Sequence, residues 1–470
     1  MKIEQIYTGC IAHAAYYIEN NGEAAIFDPL REVQPYIARA TKDNAKIKYI
    51  FETHFHADFV SGHIDLAKKT GGTIVYGPTA KCGFDCLTAE DNQEFKVGNY
   101  TIKVIYTPGH TLESTCYLLI DENGKQHGII TGDTLFIGDV GRPDLAQKVI
   151  ADLTQDKLAS MLYDSLRNKI MPLSDDLIVY PNHGAGSACG KNMSKETTDT
   201  LGNQKKVNYA LRADMTREEF MAELLDGLTP PPAYFPQNVL MNIQGYESLD
   251  TVMERGVRPL SAREFEAAAN ETEALILDVR HENEFVKEHI PNSICINIDG
   301  QFAPWAGALI MDTKQPILLV CAEGREHEAI TRLSRVGFDN TLGYLHGGIE
   351  AWKAEGYETD HIESISAAEF AKRVKEDHKP IVDVRRAGEY KAEQVVGAIN
   401  IQLDYINDHM SEVPKEEFYI HCAGGYRSVI AASILKARGI HHMINVEGGI
   451  VGIKQTDLPV SAYVCPSTLK

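Results

Sequence analysis

The second half of this 470-residue chain repeats itself at a spacing of one domain length. Residues 277–280 (LDVR) return as residues 382–385 (VDVR), and residues 347–349 (GGI) return as residues 448–450 (GGI). An interval of about 100 residues is far longer than a solenoid unit, so the repeat predicts two homologous domains. Each copy alternates strands with helices, which predicts a mainly parallel sheet with helices on both faces.

Length, charge and cysteine content narrow the class of protein. A chain of 470 residues predicts roughly three domains. A formal net charge of -20 argues against a nucleic-acid binder. We find neither a signal-peptide pattern nor an apolar run long enough to cross a bilayer, so no membrane association is expected. Nine cysteines without disulfide spacing suit a reducing compartment, and we expect a cytoplasmic enzyme.

The first half of the chain has a different pattern. Short β-rich runs alternate with turn signals, and helical patterns occupy residues 32–41 and 153–170. This mixture predicts two sheets covered by helices. A triple proline within residues 229–236 is typical of a stiff tether. We therefore predict three domains, which are listed here: residues 1–240, 258–360 and 361–470.

The segment after the apolar run 47–51 carries the densest group of metal-ligating residue types. It reads Thr-His-Phe-His-Ala-Asp-Phe, and it contains His54, His56 and Asp58 before it ends at Phe59. The apolar run predicts a buried strand, so these side chains are expected at a strand end. Phenylalanine has no ligand atom, which means that Phe59 cannot coordinate a metal.

Three further polar residues occupy the same kind of position. His110, Asp133 and His183 each come just after a β-rich run, and glycines that allow close backbone approach surround them. A single histidine of this kind is more often structural than functional. Four occurrences at strand ends favour a shared metal site instead.

This pattern resembles the metallo-β-lactamase superfamily, in which the motif TH-x-H-x-D-H supplies histidines to one metal and an Asp-His pair to a second. Because Phe59 replaces the closing histidine, the resemblance implies one metal rather than two. Within the superfamily, His54, His110 and Asp133 match the residues by which persulfide dioxygenases hold a single Fe(II) ion. Such a two-histidine, one-carboxylate set leaves coordination positions open.

The same resemblance implies that the remaining polar residues near the site do not bind the metal. His56 and Asp58 become groups that orient ligands or bound water. His183 either hydrogen-bonds substrate or water, or is structural.

Two neighbouring residues have equally open roles. Arg142 either binds a carboxylate or phosphate of a thiol carrier through its planar fork, or pairs with Asp144 in a turn. Cys189, with a lysine nearby that favours thiolate, either contacts or accepts sulfane sulfur or is inert.

The second repeat contains a cysteine in a glycine loop at a predicted helix start. Cys422 is followed by Ala-Gly-Gly-Tyr and then by Arg427. Backbone N–H groups at a helix N-terminus stabilise an anionic sulfur, and an arginine can hold an anionic donor or acceptor. The loop resembles the active-site loop of rhodaneses, which implies sulfur transfer through a persulfide on Cys422.

The first repeat keeps the cysteine but changes its surroundings. Cys321 is followed by Glu323 and Arg325, and Glu326 stands where the second repeat has its arginine. Carboxylates beside a thiolate raise its pKa and repel sulfite. We interpret this module as degenerate, with Cys321 as a vestigial sulfurtransferase cysteine. The alternative, in which Arg325 takes over anion binding, stays open.

The whole architecture resembles fusions of a persulfide dioxygenase with tandem rhodanese domains. This resemblance implies an α/β protein, with an N-terminal αββα metallo-β-lactamase sandwich followed by two rhodanese-like domains with parallel sheets. It further implies one Fe(II) per chain and oxidation of a low-molecular-weight thiol persulfide, such as that of glutathione or coenzyme A, by O2 to sulfite and free thiol. Sulfur transfer from the persulfide of Cys422 to sulfite would then give thiosulfate, in a role that detoxifies sulfide. A homo-oligomer is expected.

Two other functions stay open at this point. One is a binuclear zinc hydrolase of thioesters or lactones, similar to glyoxalase II, with an appended sulfurtransferase. The other is a sulfur relay that performs no oxidation.

Overall fold

The computed structural model describes residues 2–145, 153–228 and 230–465. The chain divides into two compact units, of which the first comprises residues 1–251 and 333–337 and the second comprises the rest. Among the described residues, no helix combines the length and the apolar character needed to span a membrane.

The first unit contains two six-stranded sheets. The first sheet contains, in sheet order, β1 (Lys2–Thr8), β2 (His13–Asn20), β3 (Glu23–Phe27), β4 (Lys46–Phe51), β5 (Thr73–Tyr76) and β6 (Leu87–Thr88). The second contains β7 (Glu94–Val97), β8 (Tyr100–Tyr106), β9 (Thr115–Ile120), β10 (Gln126–Gly132), β11 (Ile178–Pro181) and β12 (Asp199–Thr200), which follow one another across the sheet in chain order. The helices of this unit are α1 (Gln34–Lys42), α2 (His63–Thr70), α3 (Gln155–Ser165), α4 (Leu201–Val207), α5 (Arg217–Leu225) and α6 (Phe235–Gln244), and α7 (Leu249–Gly256) crosses the unit boundary.

The two sheets pack face to face, and helices cover their outer faces. One buried cluster joins side chains of both sheets, including Phe51 from β4 and Tyr117 from β9. A second cluster lies between the first sheet and helices α1 and α2, and it takes the adjacent residue Ile50 of β4. Successive side chains of a strand point to opposite faces of the sheet. The last two residues of β4, Ile50 and Phe51, are therefore buried on opposite faces, and both are apolar. The predicted αββα sandwich is confirmed.

The apolar run at residues 47–51 lies within β4, and the helical pattern at residues 32–41 corresponds to α1. The helical pattern at 153–170 is α3 followed by a π-helical turn at Leu166–Ile170. The triple proline does not separate the two units. Its prolines precede α6, which has Pro236 in its first turn and belongs to the first unit, so that unit extends past the predicted boundary at residue 240. Thr229 lies outside the described residues.

The second unit contains two five-stranded sheets in which every described pair of strands is parallel. The first sheet has the order β13-β17-β16-β14-β15, with β13 (Pro259–Leu260), β14 (Leu275–Asp278), β15 (Ile294–Cys295), β16 (Ile317–Val320) and β17 (Thr341–Leu345). The second has the order β18-β22-β21-β19-β20, with β18 (Ser364–Ile365), β19 (Ile381–Asp383), β20 (Ile399–Asn400), β21 (Phe418–His421) and β22 (Met443–Val446). The two orders are the same, which confirms the predicted pair of homologous parallel-sheet domains.

Helices alternate with these strands in both domains. The first has α8 (Ala262–Thr272), α9 (Glu282–Lys287), α10 (Phe302–Leu309), α11 (Glu326–Arg335) and α12 (Gly348–Ala354). The second has α13 (Ala367–Asp377), α14 (Ala387–Ala392), α15 (Tyr426–Ala437) and α16 (Gly449–Ile453).

Helix α6 anchors the loop that follows β4. The side chain of Asn242 donates from Nδ2 to the carbonyls of His56 and Phe59, at 2.8 Å each, and its Oδ1 accepts from the Ser61 amide at 2.9 Å. Asn242 is fully buried, so these three backbone groups depend on it.

We expect Asn242→Ala to destabilise the protein by at least about 2 kcal/mol more than Asn238→Ala, because it leaves buried backbone groups without partners. Asn238 is a matched control on the same helix. It is equally buried, and within the described parts of the chain its side-chain atoms have no hydrogen-bond partner. Urea unfolding of both variants measures the difference, and equal midpoints would contradict the anchoring role.

Candidate functional site

Three of the predicted metal ligands meet just past the ends of β4, β8 and β10. One ligand atom each of His54, His110 and Asp133 lies within 4.8 Å of the others. Oδ2 of Asp133 is 3.4 Å from Nε2 of His110 and 3.8 Å from Nε2 of His54. All three residues are buried. The strands therefore deliver two imidazoles and one carboxylate to one point, as the sequence predicts.

Hydrogen bonds behind the two imidazoles fix which ring nitrogen faces this point. Nδ1 of His110 donates to the Arg142 carbonyl at 2.8 Å. Nδ1 of His54 lies 2.9 Å from Oγ1 of Thr53, whose own hydroxyl donates to Oδ1 of Asp28 at 3.1 Å, so the ring donates. With Nδ1 as the donor, the neutral form of each ring carries its lone pair on Nε2, which faces the other ligands.

The charge state of the group also suits a metal. Burial lowers the pKa of His54 well below its usual value, and repulsion from His56 and His110 lowers it further, so the imidazole is neutral. Neither carboxylate oxygen of Asp133 accepts a hydrogen bond from any described residue. A neutral His54 imidazole beside an unpartnered carboxylate is the form of these side chains that binds a cation.

A second group of ligating side chains lies beside the first. One ligand atom each of Asp58, His183 and Cys189 falls within 4.8 Å of the others, and all three residues are buried. Nε2 of His183 is 3.4 Å from Oδ2 of Asp58 and 3.6 Å from Oδ1 of Asp133. The sequence predicted Asp58 as an orienting group and left His183 and Cys189 open, and it did not predict that the three would meet.

His56 lies behind the first group. Its Nε2 is 2.9 Å from Oδ1 of Asp28 and 3.4 Å from Oε2 of Glu52. Burial lowers the pKa of His56, but the hydrogen bonds and attraction of these two carboxylates outweigh burial and raise it well above the usual value. The ring of Phe59 packs against His56 and His13, with ring centres 4.3 Å apart in each pair. The orienting role of His56 stays a prediction, and Phe59 fills the space behind the site with an apolar ring.

Arg142 adopts the second of its two predicted roles. Its guanidinium forms a two-pronged ion pair with Asp144 at 2.6 and 2.7 Å and is buried. Its backbone links the two ligand groups, because its carbonyl accepts from His110 and its amide donates to the Cys189 carbonyl at 2.9 Å. A Cβ atom on the preceding Gly141 would lie 2.2 Å from the Asp133 carbonyl oxygen, so only glycine fits there.

The predicted activation of Cys189 by a lysine is wrong. Lys191 instead donates from Nζ to the carbonyls of Glu223 and Asp226. Burial raises the pKa of Cys189 well above its usual value, and the nearby carboxylates of Asp58 and Asp133 raise it further.

The loop after β21 supports the sulfurtransferase prediction. The Gly425 amide donates to Sγ of Cys422 at 3.1 Å, and helix α15 begins at the next residue. The loop folds against α16 at Gly449, where a Cβ atom would lie 2.4 Å from the Cys422 carbonyl oxygen. Arg427 lies on the first turn of α15, and its guanidinium pairs with both carboxylate oxygens of Glu389 at 2.7 and 2.8 Å.

The matching loop of the first domain has lost this arrangement. The Gly324 amide, which is the counterpart of the amide that contacts Cys422, donates to the Glu326 carboxylate at 3.1 Å. Burial raises the pKa of Cys321 to about 12, together with the charges of Glu326 and Asp278. Glu323 is exposed.

Arg325 does not compensate for this loss. It pairs with Asp299 at 2.6 Å and with Glu328 at 2.7 Å. These contacts favour the prediction that the first domain is degenerate over the alternative in which Arg325 binds an anion.

Two residues that support the site were missed in the sequence. Asp28 accepts hydrogen bonds from the Thr53 amide at 2.7 Å and from the Thr53 hydroxyl, and it also contacts His56. Asp28 directly follows the strand β3, as the predicted ligands follow their strands, and this position could have identified it. Asn242 carried no comparable signal, because it lies on a helix far along the chain.

Comparisons with known proteins agree with this domain order. The family model described as metallo-beta-lactamase superfamily matches residues 8–85, and that of the rhodanese-like domain matches residues 261–355 and 366–456. A crystal structure of a metallo-beta-lactamase from Staphylococcus aureus subsp. aureus COL superposes with a TM-score of 0.66 and 31% identity, covering 73% of this chain and 98% of that chain.

Curated relatives match a smaller share of the chain. A probable hydroxyacylglutathione hydrolase of Schizosaccharomyces pombe is 27% identical over 183 residues, which span 38% of this chain and 66% of the relative, just under two thirds. A hydroxyacylglutathione hydrolase of Pseudoalteromonas translucida is 30% identical over 202 residues, or 43% of this chain and 70% of the relative.

The fold and the ligand groups define a metal-binding enzyme of the αββα sandwich class with appended sulfurtransferase-type domains. The chain belongs to the metallo-β-lactamase superfamily and carries two rhodanese-like domains after that domain.

We expect Thr53→Val to weaken metal binding about 10–100-fold, because it removes the oxygen that orients His54. Thr341→Val is the control, since Thr341 is buried and its hydroxyl has no hydrogen-bond partner among the described residues. Competition titration of zinc against a chelating dye measures the affinity. Equal affinities in the two variants would show that Thr53 does not orient His54.

Proposed function

We propose that this protein is an iron-dependent persulfide dioxygenase coupled to a sulfurtransferase. One thiol persulfide, one O2 and one water would give one thiol, one sulfite and two protons. The sulfane sulfur loses four electrons, which reduce O2. A second thiol persulfide would transfer its outer sulfur to the Cys422 thiolate and leave as free thiol. Sulfite would then attack the outer sulfur of the Cys422 persulfide, so that its S–S bond breaks, thiosulfate forms and the Cys422 thiolate is released.

The ligand set carries this proposal. Two imidazoles and one carboxylate, contributed by His54, His110 and Asp133, are the set that non-haem Fe(II) oxygenases use. An iron ion held there would supply open positions for a substrate sulfur and for O2. The protein's own contribution is to hold the His54 imidazole neutral and to turn Nε2 of both rings inward in a buried site.

The cysteine loop of the second rhodanese-like domain also supports a persulfide substrate. Gly425 donates a hydrogen bond to Cys422, and a donor of this kind stabilises a persulfide anion as well as a thiolate. Arg427 lies on the same helix turn, where its guanidinium can exchange Glu389 for an incoming sulfite. The N-terminal domain would produce sulfite and the domain of Cys422 would consume it. Because both lie on one chain, the effective concentration of sulfite at Cys422 is raised.

A thioester hydrolase is the second candidate. The curated relatives named above are hydroxyacylglutathione hydrolases, and Asp58 and His183 lie beside Asp133 where a second metal would make a binuclear site. Both candidates act on a thiol conjugate of low molecular weight, such as one of glutathione or coenzyme A. They differ in whether O2 is consumed.

Oxygen uptake by the iron-loaded protein with glutathione persulfide distinguishes the two candidates. We expect one O2 for each persulfide that is oxidised, with the sulfite formed recovered as thiosulfate through Cys422, and no hydrolysis of a glutathione thioester. His110→Ala should abolish uptake, because it removes a ligand, whereas His127→Ala should retain it, because His127 is a half-exposed residue paired with Asp121. Thioester hydrolysis without oxygen uptake would establish the hydrolase instead.

Cys422→Ser tests the coupled step. We expect this variant to consume O2 at the normal rate but to accumulate sulfite in place of thiosulfate, because the group that carries the persulfide is gone. Cys321→Ser is the matched control and should form thiosulfate normally. If Cys422→Ser still forms thiosulfate, Cys321 or Cys189 carries the transfer.

A further inference from the structure

Two cysteines lie close together in the loop between β5 and β6, outside both ligand groups and outside the rhodanese-like domains. Cys82 and Cys86 are free thiols, and both are partly exposed. The sulfur of Cys86 accepts hydrogen bonds from the thiol and from the backbone amide of Cys82. The two sulfurs are therefore within hydrogen-bond distance of each other, and a small molecule can reach them.

Contacts with neighbouring residues hold this loop in place. At its ends, the Thr88 hydroxyl donates to the Ala80 carbonyl at 3.1 Å. In its middle, the Gly83 amide donates to the Ile243 carbonyl of α6 at 2.7 Å. The two thiols therefore meet as part of the folded structure, and their reaction does not carry the entropy cost of bringing two flexible groups together.

The shared hydrogen bond makes the two thiols chemically unequal. Donation from the Cys82 thiol lowers the pKa of Cys86 to about 7. The same hydrogen bond raises the pKa of Cys82, and partial burial and the carboxylates of Glu52 and Glu113 raise it further. Only the thiolate is nucleophilic, and a thiol whose pKa is near the ambient pH attacks best. Cys86 is therefore the nucleophile, and Cys82 is its protonated neighbour.

We propose that Cys82 and Cys86 form a reactive dithiol site, which takes sulfane sulfur from a low-molecular-weight thiol persulfide and is converted into a disulfide. The class of substrate rests on the proposed function, in which a thiol persulfide is the substrate of the N-terminal domain. The site is a second point of sulfur transfer, separate from Cys422.

The reaction has two steps. The Cys86 thiolate attacks the outer sulfur of the thiol persulfide, whose S–S bond breaks, and the carrier leaves as a thiolate that takes a proton from water. The Cys82 sulfur then attacks the inner sulfur of the Cys86 persulfide, whose S–S bond breaks, and the Cys82 proton goes to the departing hydrosulfide. One persulfide and two cysteine thiols thus give one carrier thiol, one hydrogen sulfide and one disulfide. The sulfane sulfur gains the two electrons that the cysteine sulfurs lose.

Anaerobic treatment of the full-length protein with glutathione persulfide tests the proposal, because without O2 the persulfide is the oxidant. Trypsin releases both cysteines on one peptide, residues 82–96, whose mass is measured after free thiols have been alkylated. We expect the wild-type peptide to escape alkylation, to be lighter by two hydrogen atoms, and to regain both alkylation sites after reduction with dithiothreitol. One hydrogen sulfide should be released for each disulfide that forms.

Three serine variants assign the roles of the cysteines. Cys82→Ser keeps a hydroxyl donor beside Cys86 but removes the sulfur that closes the disulfide, so it should accumulate a persulfide on Cys86. Cys86→Ser should take up sulfur at least about 10-fold more slowly, because the remaining Cys82 thiol is protonated. Cys10→Ser is the matched control. It removes another partly exposed cysteine, whose sulfur accepts from Arg335, and it should form the disulfide as the wild type does. Circular dichroism checks that the variants are folded.

Two results would overturn the proposal: a wild-type peptide that remains a dithiol, or equal rates of sulfur uptake in Cys82→Ser and Cys86→Ser. The peptide that carries Cys422 is measured in the same digest, and its persulfide reports the proposed sulfurtransferase step. A Cys422 persulfide beside an unreacted Cys82 and Cys86 would refute the dithiol site alone. A disulfide between Cys82 and Cys86 without a Cys422 persulfide would refute the proposed transfer through Cys422 alone.

Discussion

The carboxylate of Asp133 is the point on which the candidate site depends. It lies buried between two groups of ligating side chains and accepts no hydrogen bond from the residues that the structure describes. An unpartnered buried carboxylate is costly unless a cation compensates it. The strands of both sheets end around this residue, and the fold brings His54, His110 and His183 to it with their Nε2 atoms directed inward.

The inward direction of these rings is set by groups that are not ligands. Asp28 holds Thr53, and Thr53 accepts from the His54 ring. The backbone of Arg142 holds the ring of His110 through its carbonyl and the loop of Cys189 through its amide. A displacement at Arg142 would therefore reach both ligand groups together. A Cβ atom on the preceding Gly141 would force such a displacement, because it would lie 2.2 Å from the Asp133 carbonyl oxygen.

The two rhodanese-like domains share a fold but differ in the surroundings of their loop cysteine. Their sheets have the same strand order, and both keep a cysteine after the central strand. In the second domain the loop amide of Gly425 donates to the sulfur of Cys422, and in the first the equivalent amide of Gly324 donates to Glu326. The carboxylate thus takes the hydrogen bond that would stabilise a thiolate. Burial raises the pKa of Cys321, and the charge of Glu326 raises it further.

The sequence by itself predicted the fold class, the duplication and the strand-end positions of the residues in the first ligand group. Hydrophobic periodicity and strand-end position are local signals, and His54, His110 and Asp133 each carried both. The sequence did not determine that Cys189 lies beside Asp58 and His183, or that Asn242 holds the loop of Phe59 from a helix more than 180 residues away. Tertiary structure decided these, because contacts between distant loops depend on how the sheets and helices pack and leave no periodic trace in the chain.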